Sequence, residues 1–414
     1  MGHPSGVPTR MSSAFYDWLT GGLTGFGWVG ILVTFLVFVQ LTIFSVTLYL
    51  HRSQAHRAVD FHPALAHFFR FWTWLTTSMI TKEWAAIHRK HHAKCETEED
   101  PHSPHVLGIK RVFWRGAELY RDARASREDM EKYGKGCPDD WIERNLYAKH
   151  ANWGPTLMLL IDVALFGVVG VAVWAVQMIW IPFWAAGVVN GLGHWWGYRN
   201  FETADKATNL TPWGFWIGGE ELHNNHHTFP SSAKFALRKW EFDIGWVVIQ
   251  GLEKLGLAKV LRVAPSIDVR PNIAMPDAET LRALLSHRFQ AMTDYYRTVL
   301  KPALREEARD AGDSLKSVPR RIRRALASDG RWLDAAGRER LQAWVQTRPR
   351  LAVLVEHRAR LAALLEARQH DATASLQALQ EWCREAEASG IRALQEFSER
   401  LKGYTLAPAR GATA

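Results

Sequence analysis

The stretch WVGILVTFLVFVQLTIFSVTLYL, residues 28–50, holds no charged side chain and runs directly into His51. A helix needs about 20 apolar residues to cross the hydrocarbon core of a bilayer. This run is long enough, so the chain is read as threading a membrane, with a histidine where the first span meets water.

Two further apolar runs extend that reading. Residues 153–176 carry Asp162 as their only charge, and 178–197 contain Gly187, Gly191 and Gly193, which let helices approach closely. A turn at Gln177 would fold the two into a hairpin, with Trp174, Trp180 and Trp184 as an interfacial aromatic belt. Residues 62–83 are interrupted by His67 and Arg70, so they read as an amphipathic helix lying in the interface. The expected fold is all-α: an integral membrane helical domain of three spans (28–50, 153–176, 178–197) plus the interfacial helix 62–83. Four spans are the alternative. A cytosolic helical cap and a helical C-terminal extension complete it.

Charge orients this arrangement. The 414 residues carry a net +9, and basic residues are sparse before the first span, where Arg10 stands alone. They are dense in 52–150 and after 198, which places those regions in the cytosol of a multi-pass inner-membrane protein. Cys95, Cys137 and Cys383 are odd in number and far apart, which argues for a reducing compartment and against a disulfide framework. The opening MGHPSGVPTR lacks the ordered features of a cleavable signal, so none is expected.

Three histidine boxes fall on the cytosolic face. They are HRSQAH with His51 and His56, HRKHH with His88, His91 and His92, and HNNHH with His223, His226 and His227. Positions i, i+3 and i+4 share one helical face, so each HxxHH offers three imidazoles to one side. Asn190 and His194, four apart in the last span, add a polar pair that is costly in a membrane without a partner. Imidazole suits iron, copper, nickel and zinc. Nine histidines exceed the capacity of one ion, and zinc needs only four ligands, so two redox-active irons are the better inference. His62, His67, His102, His105 and His150 lack this pattern and read as structural or surface residues, His102 as a turn residue after Pro101.

At this point the sequence resembles the membrane-bound fatty-acid desaturases of the histidine-box di-iron type, closest to bacterial delta-9 acyl-lipid and acyl-CoA enzymes. The resemblance covers residues 25–265 and rests on LHRSQAHR (50–57), HRKHHAKCETEEDPHSP (88–104), NGLGH (190–194), GGEELHNNHHTFP (218–230) and WEFDIGWVVI (240–249). It implies two non-haem iron ions with O2 as co-substrate, and removal of two hydrogens from a saturated acyl chain. By motif position, one iron would take His51, His56, His88, His92 and His226. The other would take His91, His194, His223 and His227, with Asn190 reaching it through a water. Glu221-Leu222 stands where acyl-CoA enzymes usually have Gly-Trp, and Gly191 where they tend to have Ser. These departures favour a phospholipid-bound chain over a CoA thioester. Residues 1–24 would then be a short N-terminal segment, 25–265 the catalytic domain and 266–414 the extension.

Electrons must come from outside the chain, since neither a haem-binding HPGG signature nor a flavin fingerprint occurs: His62-Pro63 continues as Ala-Leu. A ferredoxin, rubredoxin or flavoprotein reductase is the expected donor. Trp72, Trp74, Trp153 and Trp184 are candidates for the walls of an acyl tunnel. A lipid or alkane hydroxylase could use the same centre, and a histidine-lined metal transporter is a more distant alternative. Glu220-x-x-His223 matches the spacing of a carboxylate di-iron bundle but lacks a second copy. Beyond 265 the chain shows helical periodicity over 277–301 (Leu281, Leu284, Leu285, Phe289, Met292, Tyr296, Val299), 338–366 and 373–402, interrupted by Pro349 and the turn-prone QHDATAS at 369–375. The basic run KSVPRRIRR at 316–324 has no recognition module beside it, so no nucleic-acid partner is expected.

Overall fold

The computed structural model describes residues 8–310, 316, 318–366 and 371–407. Residues 1–7 of the N-terminal segment, Ser317 of the basic run and residues 369 and 370 of the turn-prone stretch lie outside the described residues. The chain forms two compact units, one of Met1–Arg199 with Asp205–Ala264, the other of Asn200–Ala204 with Pro265–Ala414.

The first unit is built on helices. Trp28–Ala55 and Val169–His194 are long and apolar enough to cross a membrane, while Trp153–Phe166 is a shorter apolar helix. Their outer faces leave Trp28, Val29, Val33, Val37, Leu160, Val171 and Ile179 exposed. Apolar exposure on this scale marks a surface meant for lipid or another apolar partner. Inside, Ile43, Leu48, Tyr49, Leu50, Phe69 and Ile181 close the core.

Two boundaries differ from the sequence reading. The hairpin turns at Gly167, not at Gln177: helices Trp153–Phe166 and Val169–Ile181 meet there. Gly167 has φ +62, and a Cβ on it would lie 2.3 Å from the Leu19 carbonyl oxygen, so the position requires glycine. Gln177 instead sits buried in mid-helix, its amide donating to Asp162 Oδ1 at 3.4 Å. That bond gives the one charged residue of the run a partner and ties the two helices together. The second difference concerns 62–83. The helix there is Pro63–Thr77, ended by Ser78 at φ +60, and a new helix, Thr81–Lys94, carries the second histidine box.

The first box depends on a local widening. Ser45–Ala55 is π-helical, with His56 N donating to His51 O. In an α-helix, residues five apart point well away from each other. An i→i+5 hydrogen-bond pattern stacks them on one face, and so His51 and His56 can converge. Arg52 anchors this turn. It has no solvent exposure, and its Nη2 donates to Asp243 Oδ1 at 3.0 Å and to Gly218 O at 3.1 Å. Its guanidinium also lies 3.9 Å from the Phe235 ring centroid. Asp243 in turn caps helix Ile244–Lys254 through Trp246 N. A two-stranded antiparallel pair, Val59–Phe61 with Ala258–Val260, fastens the chain on either side of these boxes.

The second unit has its own core, including Leu281, Leu284, Tyr295, Leu354, Leu361, Trp382 and Phe397. Of the expected 277–301 stripe, Leu281, Leu284, Met292 and Val299 are buried, whereas Leu285 is exposed. The stripe breaks at His287, between helices Ala278–Ser286 and Arg288–Tyr295. Pro349 begins helix Pro349–Glu366 instead of interrupting one. Ile267–Val269 and Tyr404–Leu406 pair antiparallel across this unit.

Candidate metal centre

The nine boxed and membrane histidines gather into two groups. His51, His56, His88, His92 and His226 form one, and His91, His194, His223 and His227 form the other, with ligand atoms in each group within 4.8 Å of one another. Seven of these side chains are buried, and His56 and His92 are half-buried. Asn190 stands on the wall of a cavity that also reaches His223.

Two helices place most of them. In Thr81–Lys94, His88 and His92 are four apart and turn to the first group, while His91 turns to the second. In the short helix His223–Thr228 the division is reversed: His223 and His227 join the second group and His226 the first. The two HxxHH motifs therefore face each other and interlock.

The nitrogen spacings show what such groups can hold. In the first group Nε2 distances are 3.0 Å from His51 to His226, 2.9 Å from His226 to His92, 3.1 Å from His92 to His88 and 2.8 Å from His88 to His56. In the second, His194 Nε2 lies 3.0 Å from His223 Nε2. Imidazole nitrogens about 2.1 Å from a common ion, at right angles, lie roughly 3 Å apart.

Carboxylates fix the tautomers. His51 Nδ1 donates to Glu220 Oε1 at 2.7 Å, His91 Nδ1 to Asp100 Oδ1 at 2.9 Å, His194 Nδ1 to Glu96 Oε1 at 3.1 Å and His227 Nδ1 to Asp205 Oδ2 at 2.9 Å. Each of these rings then carries its proton on the outer nitrogen and aims a bare Nε2 lone pair inward. His227 Nε2 is buried without a partner, as are the Nδ1 atoms of His223 and His226. Converging lone pairs repel unless a cation lies among them, so the donor set fits metal ions.

Electrostatics agree. Burial, reinforced by the neighbouring rings, holds His56, His88, His92, His223, His226 and His227 well below the usual imidazole value. They are neutral at pH 7, the form that ligates. Burial pushes the Asp100 carboxyl up, but the adjoining His91 ring outweighs this and keeps it below the carboxylate range. Asp100 also accepts from the backbone N–H groups of Glu96 and His102, which locks the loop after the second box.

Several neighbours were not singled out by sequence. Glu220, Asp100, Glu96 and Asp205 had no role there, apart from the bundle-like spacing of Glu220, which in the fold holds His51. His102 lies in the turn expected after Pro101, and it is buried there. Its ring centroid lies 4.2 Å from that of His91, and burial pushes it down to about 3. His105 Nε2 donates to the His194 carbonyl at 2.8 Å. Cys95 Sγ stands 3.8 Å from His91 Nε2. His62 caps helix Pro63–Thr77, and His67 is exposed.

A cavity of about 620 Å³ opens beside the histidines, reaching His51, His88 and His223 and running along helix Val169–His194 from Asn190 to Gln177. Its walls are mainly apolar, with Ile43, Trp84, Ile181 and Val189 among them, and Arg121 and Arg124 border it. Of the four tryptophans considered for such walls, Trp184 is there. Trp72 donates to Thr42 and Trp74 to His150 O, so both serve packing, and Trp153 is exposed.

Comparison with known proteins places this geometry. Residues 26–242 match the model of the family described as fatty acid desaturase. The acyl-CoA C20 Delta5-desaturase of Anemone leveillei is 30% identical over 59% of this chain and 78% of its own length. Delta-9 acyl-lipid desaturase 1 of Arabidopsis thaliana is 29% identical over 60% and 80%. The sn-1 stearoyl-lipid 9-desaturase of Anabaena variabilis is 29% identical over 58% and 87%. The chain belongs to the fatty acid desaturase family and is an oxidoreductase. A second model, described as transposase, matches residues 288–406, less than a third of the chain, and so does not set the family of the second unit.

Proposed function

We propose that the protein introduces a cis double bond, at the delta-9 position, into a saturated acyl chain carried on a phospholipid, with a CoA thioester as second choice. The observation that carries this reading is the pair of interlocked imidazole groups opening onto an apolar cavity. The first group would hold one iron and the second the other, with Asn190 reaching the second through a water. Bound there, the irons would supply what no side chain here can, oxygen-dependent removal of hydrogen from an unactivated methylene.

The chain's own residues do the rest. Glu220, Asp100, Glu96 and Asp205 keep the outer ring nitrogens protonated and the rings aimed. The cavity volume lies in the range of small-molecule sites, roughly 300–1,000 Å³. Each methylene buried against its walls contributes about 0.8 kcal/mol, so a saturated chain holds itself there without a polar contact. Arg121 and Arg124 at the border suit a phosphate-bearing carrier. A ferredoxin, rubredoxin or flavoprotein supplies electrons at the basic cytoplasmic face, with the protein in the inner membrane.

The test is expression in cells, followed by lipid-resolved mass spectrometry and iron analysis. The expected result is a new monounsaturated acid that disappears in His91→Ala. Equal product from the variant, or an alcohol in place of an alkene, would overturn the reading.

A further inference from the structure

The chain passes from its first unit to its second and back within a few residues. Asn200–Ala204 belong to the second unit, whereas Arg199 before them and Asp205 after them belong to the first. The segment forms no helix or strand of its own. Left unheld, an irregular stretch samples many conformations, since no hydrogen-bonded ladder fixes its dihedral angles. Here it is held. Asn200, Phe201 and Thr203 are at most 3% exposed. Glu202 N donates to Thr293 Oγ1 at 3.0 Å, and Thr203 O accepts from Arg331 Nη1 at 3.0 Å. Thr293 is fixed on helix Arg288–Tyr295, and Arg331 Nη2 is tied to Glu366 Oε1 at 3.3 Å. Both gripping residues lie beyond residue 242, where the match to the desaturase family ends.

The residue that follows this segment supports the metal centre. Asp205 Oδ2 accepts from His227 Nδ1 at 2.9 Å, the bond that keeps the proton on the outer nitrogen of that ring. Glu220, Asp100 and Glu96, which serve His51, His91 and His194, lie within the first unit; of the four carboxylates, Asp205 alone adjoins its boundary. On one side Asp205 is held by Arg199, whose Nη1 donates to Asp205 O at 3.0 Å, and by Ala207, whose N–H donates to Oδ1 at 3.0 Å. On the other, the peptide bond to Ala204 passes on the placement of the gripped segment. A hydrogen bond is gone once its partners part beyond about 3.5 Å. From 2.9 Å, a shift of about 0.6 Å is enough.

We propose that the second unit serves the metal centre by gripping Asn200–Ala204, with Thr293 and Arg331 as positioning residues that act through Asp205 to keep His227 aimed at its ion. The inference rests on the reading that the two histidine groups hold metal. Its consequence is one-sided. Slackening the grip moves Asp205, lets the His227 ring turn, and weakens the group of His91, His194, His223 and His227. The other group, whose carboxylate partner is Glu220, keeps its affinity. The effect stays below that of losing the carboxylate itself, since Arg199 and Ala207 still hold Asp205.

The experiment titrates the purified, metal-stripped full chain with Co(II), which stands beside Fe(II) in the affinity order of nitrogen sites, and so needs no turnover. Competition with a chelator gives an affinity for each ion, and visible absorption reports its ligands. The parent should take up two ions. Asp205→Asn should weaken one of them about 10–100-fold. Thr293→Val combined with Arg331→Met preserves much of the side-chain volume but releases both backbone bonds. This pair should weaken the same ion about 2–30-fold, alter its spectrum and leave the other ion as in the parent. Thr293→Ser, which keeps the acceptor for Glu202 N, should leave both ions parental. Added to Asp205→Asn, the pair should cost nothing further, because the route through Asp205 is already cut. Two parental affinities in the paired variant, an equal loss at both ions, or a further loss on the Asp205→Asn background overturns the proposal. A parent that binds no Co(II) sinks it together with the metal reading. If the one ion responds as expected while cells expressing the parent make no alkene, the grip stands and the desaturase reading falls.

Discussion

The Arg52–Asp243 pair invites the sharpest stability test. Asp243→Asn keeps the shape and one acceptor oxygen but leaves a guanidinium without its counter-charge at a site where neither side chain touches solvent. Removing one partner of a buried ion pair costs about 3–5 kcal/mol. Gly218 O still accepts from Nη2, and the Phe235 ring still faces the cation, so the lower half of that range is expected. For a domain of this size, about 2–4 °C of melting temperature goes with each kcal/mol, and a fall of about 6–16 °C should result. The assay is thermal unfolding of the detergent-solubilised, metal-loaded protein, read by near-ultraviolet circular dichroism. Adding Arg52→Met removes the stranded charge while Met fills part of the stem's volume; the one Asn oxygen keeps only one of the two backbone bonds, since Trp246 N and Phe235 N are held by different oxygens of Asp243. The double variant should recover at least half the loss. If the single variant melts within about 2 °C of the parent, or the double variant falls further than the single, the pair does not anchor this turn.

Three other outcomes follow from the same geometry. Glu220→Gln cannot hold the His51 Nδ1 proton as a carboxylate does, so iron affinity should drop about 10–100-fold, read by competition with a chelator. Gly219 has φ +99, and a Cβ there would lie 2.3 Å from Asp243 Oδ1. Gly219→Ala should therefore cost more than about 1–2 kcal/mol, seen as a lower melting temperature. In metal-free protein, six of these histidines resist protonation in the folded state but not in the unfolded one. Above about pH 6.5 both states are neutral and nothing is lost. As pH falls below that value the unfolded chain binds protons first, so stability drops; iron loading should raise stability while leaving this dependence at least as steep, because the ligated rings stay unprotonated in the folded state, as equilibrium unfolding across a pH series would show.

How much of this was legible in the sequence follows from what carries a spacing. The nine histidines could be found because HxxHH repeats and because His194 sits in an apolar run. Their four carboxylate partners could not, since Asp100, Glu96 and Asp205 are brought to the rings by loop geometry with no fixed offset. The His51–His56 separation of five pointed to no α-helical face; only the π-helical turn Ser45–Ala55 makes it meaningful, and nothing in SVTLYLHRSQA announces that turn. The hairpin was misplaced by ten residues because Gln177 is the more polar interruption. Hydropathy gives little weight to Gly167, though its positive φ is what allows the chain to reverse. The burial of His102 was hidden for a similar reason: DPH reads as a turn, and a turn can also face inward.

The crossed allotment of the second and third boxes has a consequence for how the centre can exist at all. Each of these two helices sends nitrogen to both groups, so a shift of either helix would move ligand atoms of both at once. The distance between the two groups is thereby tied to the placing of two short stretches of backbone, while the loss of a single ring would touch one group only.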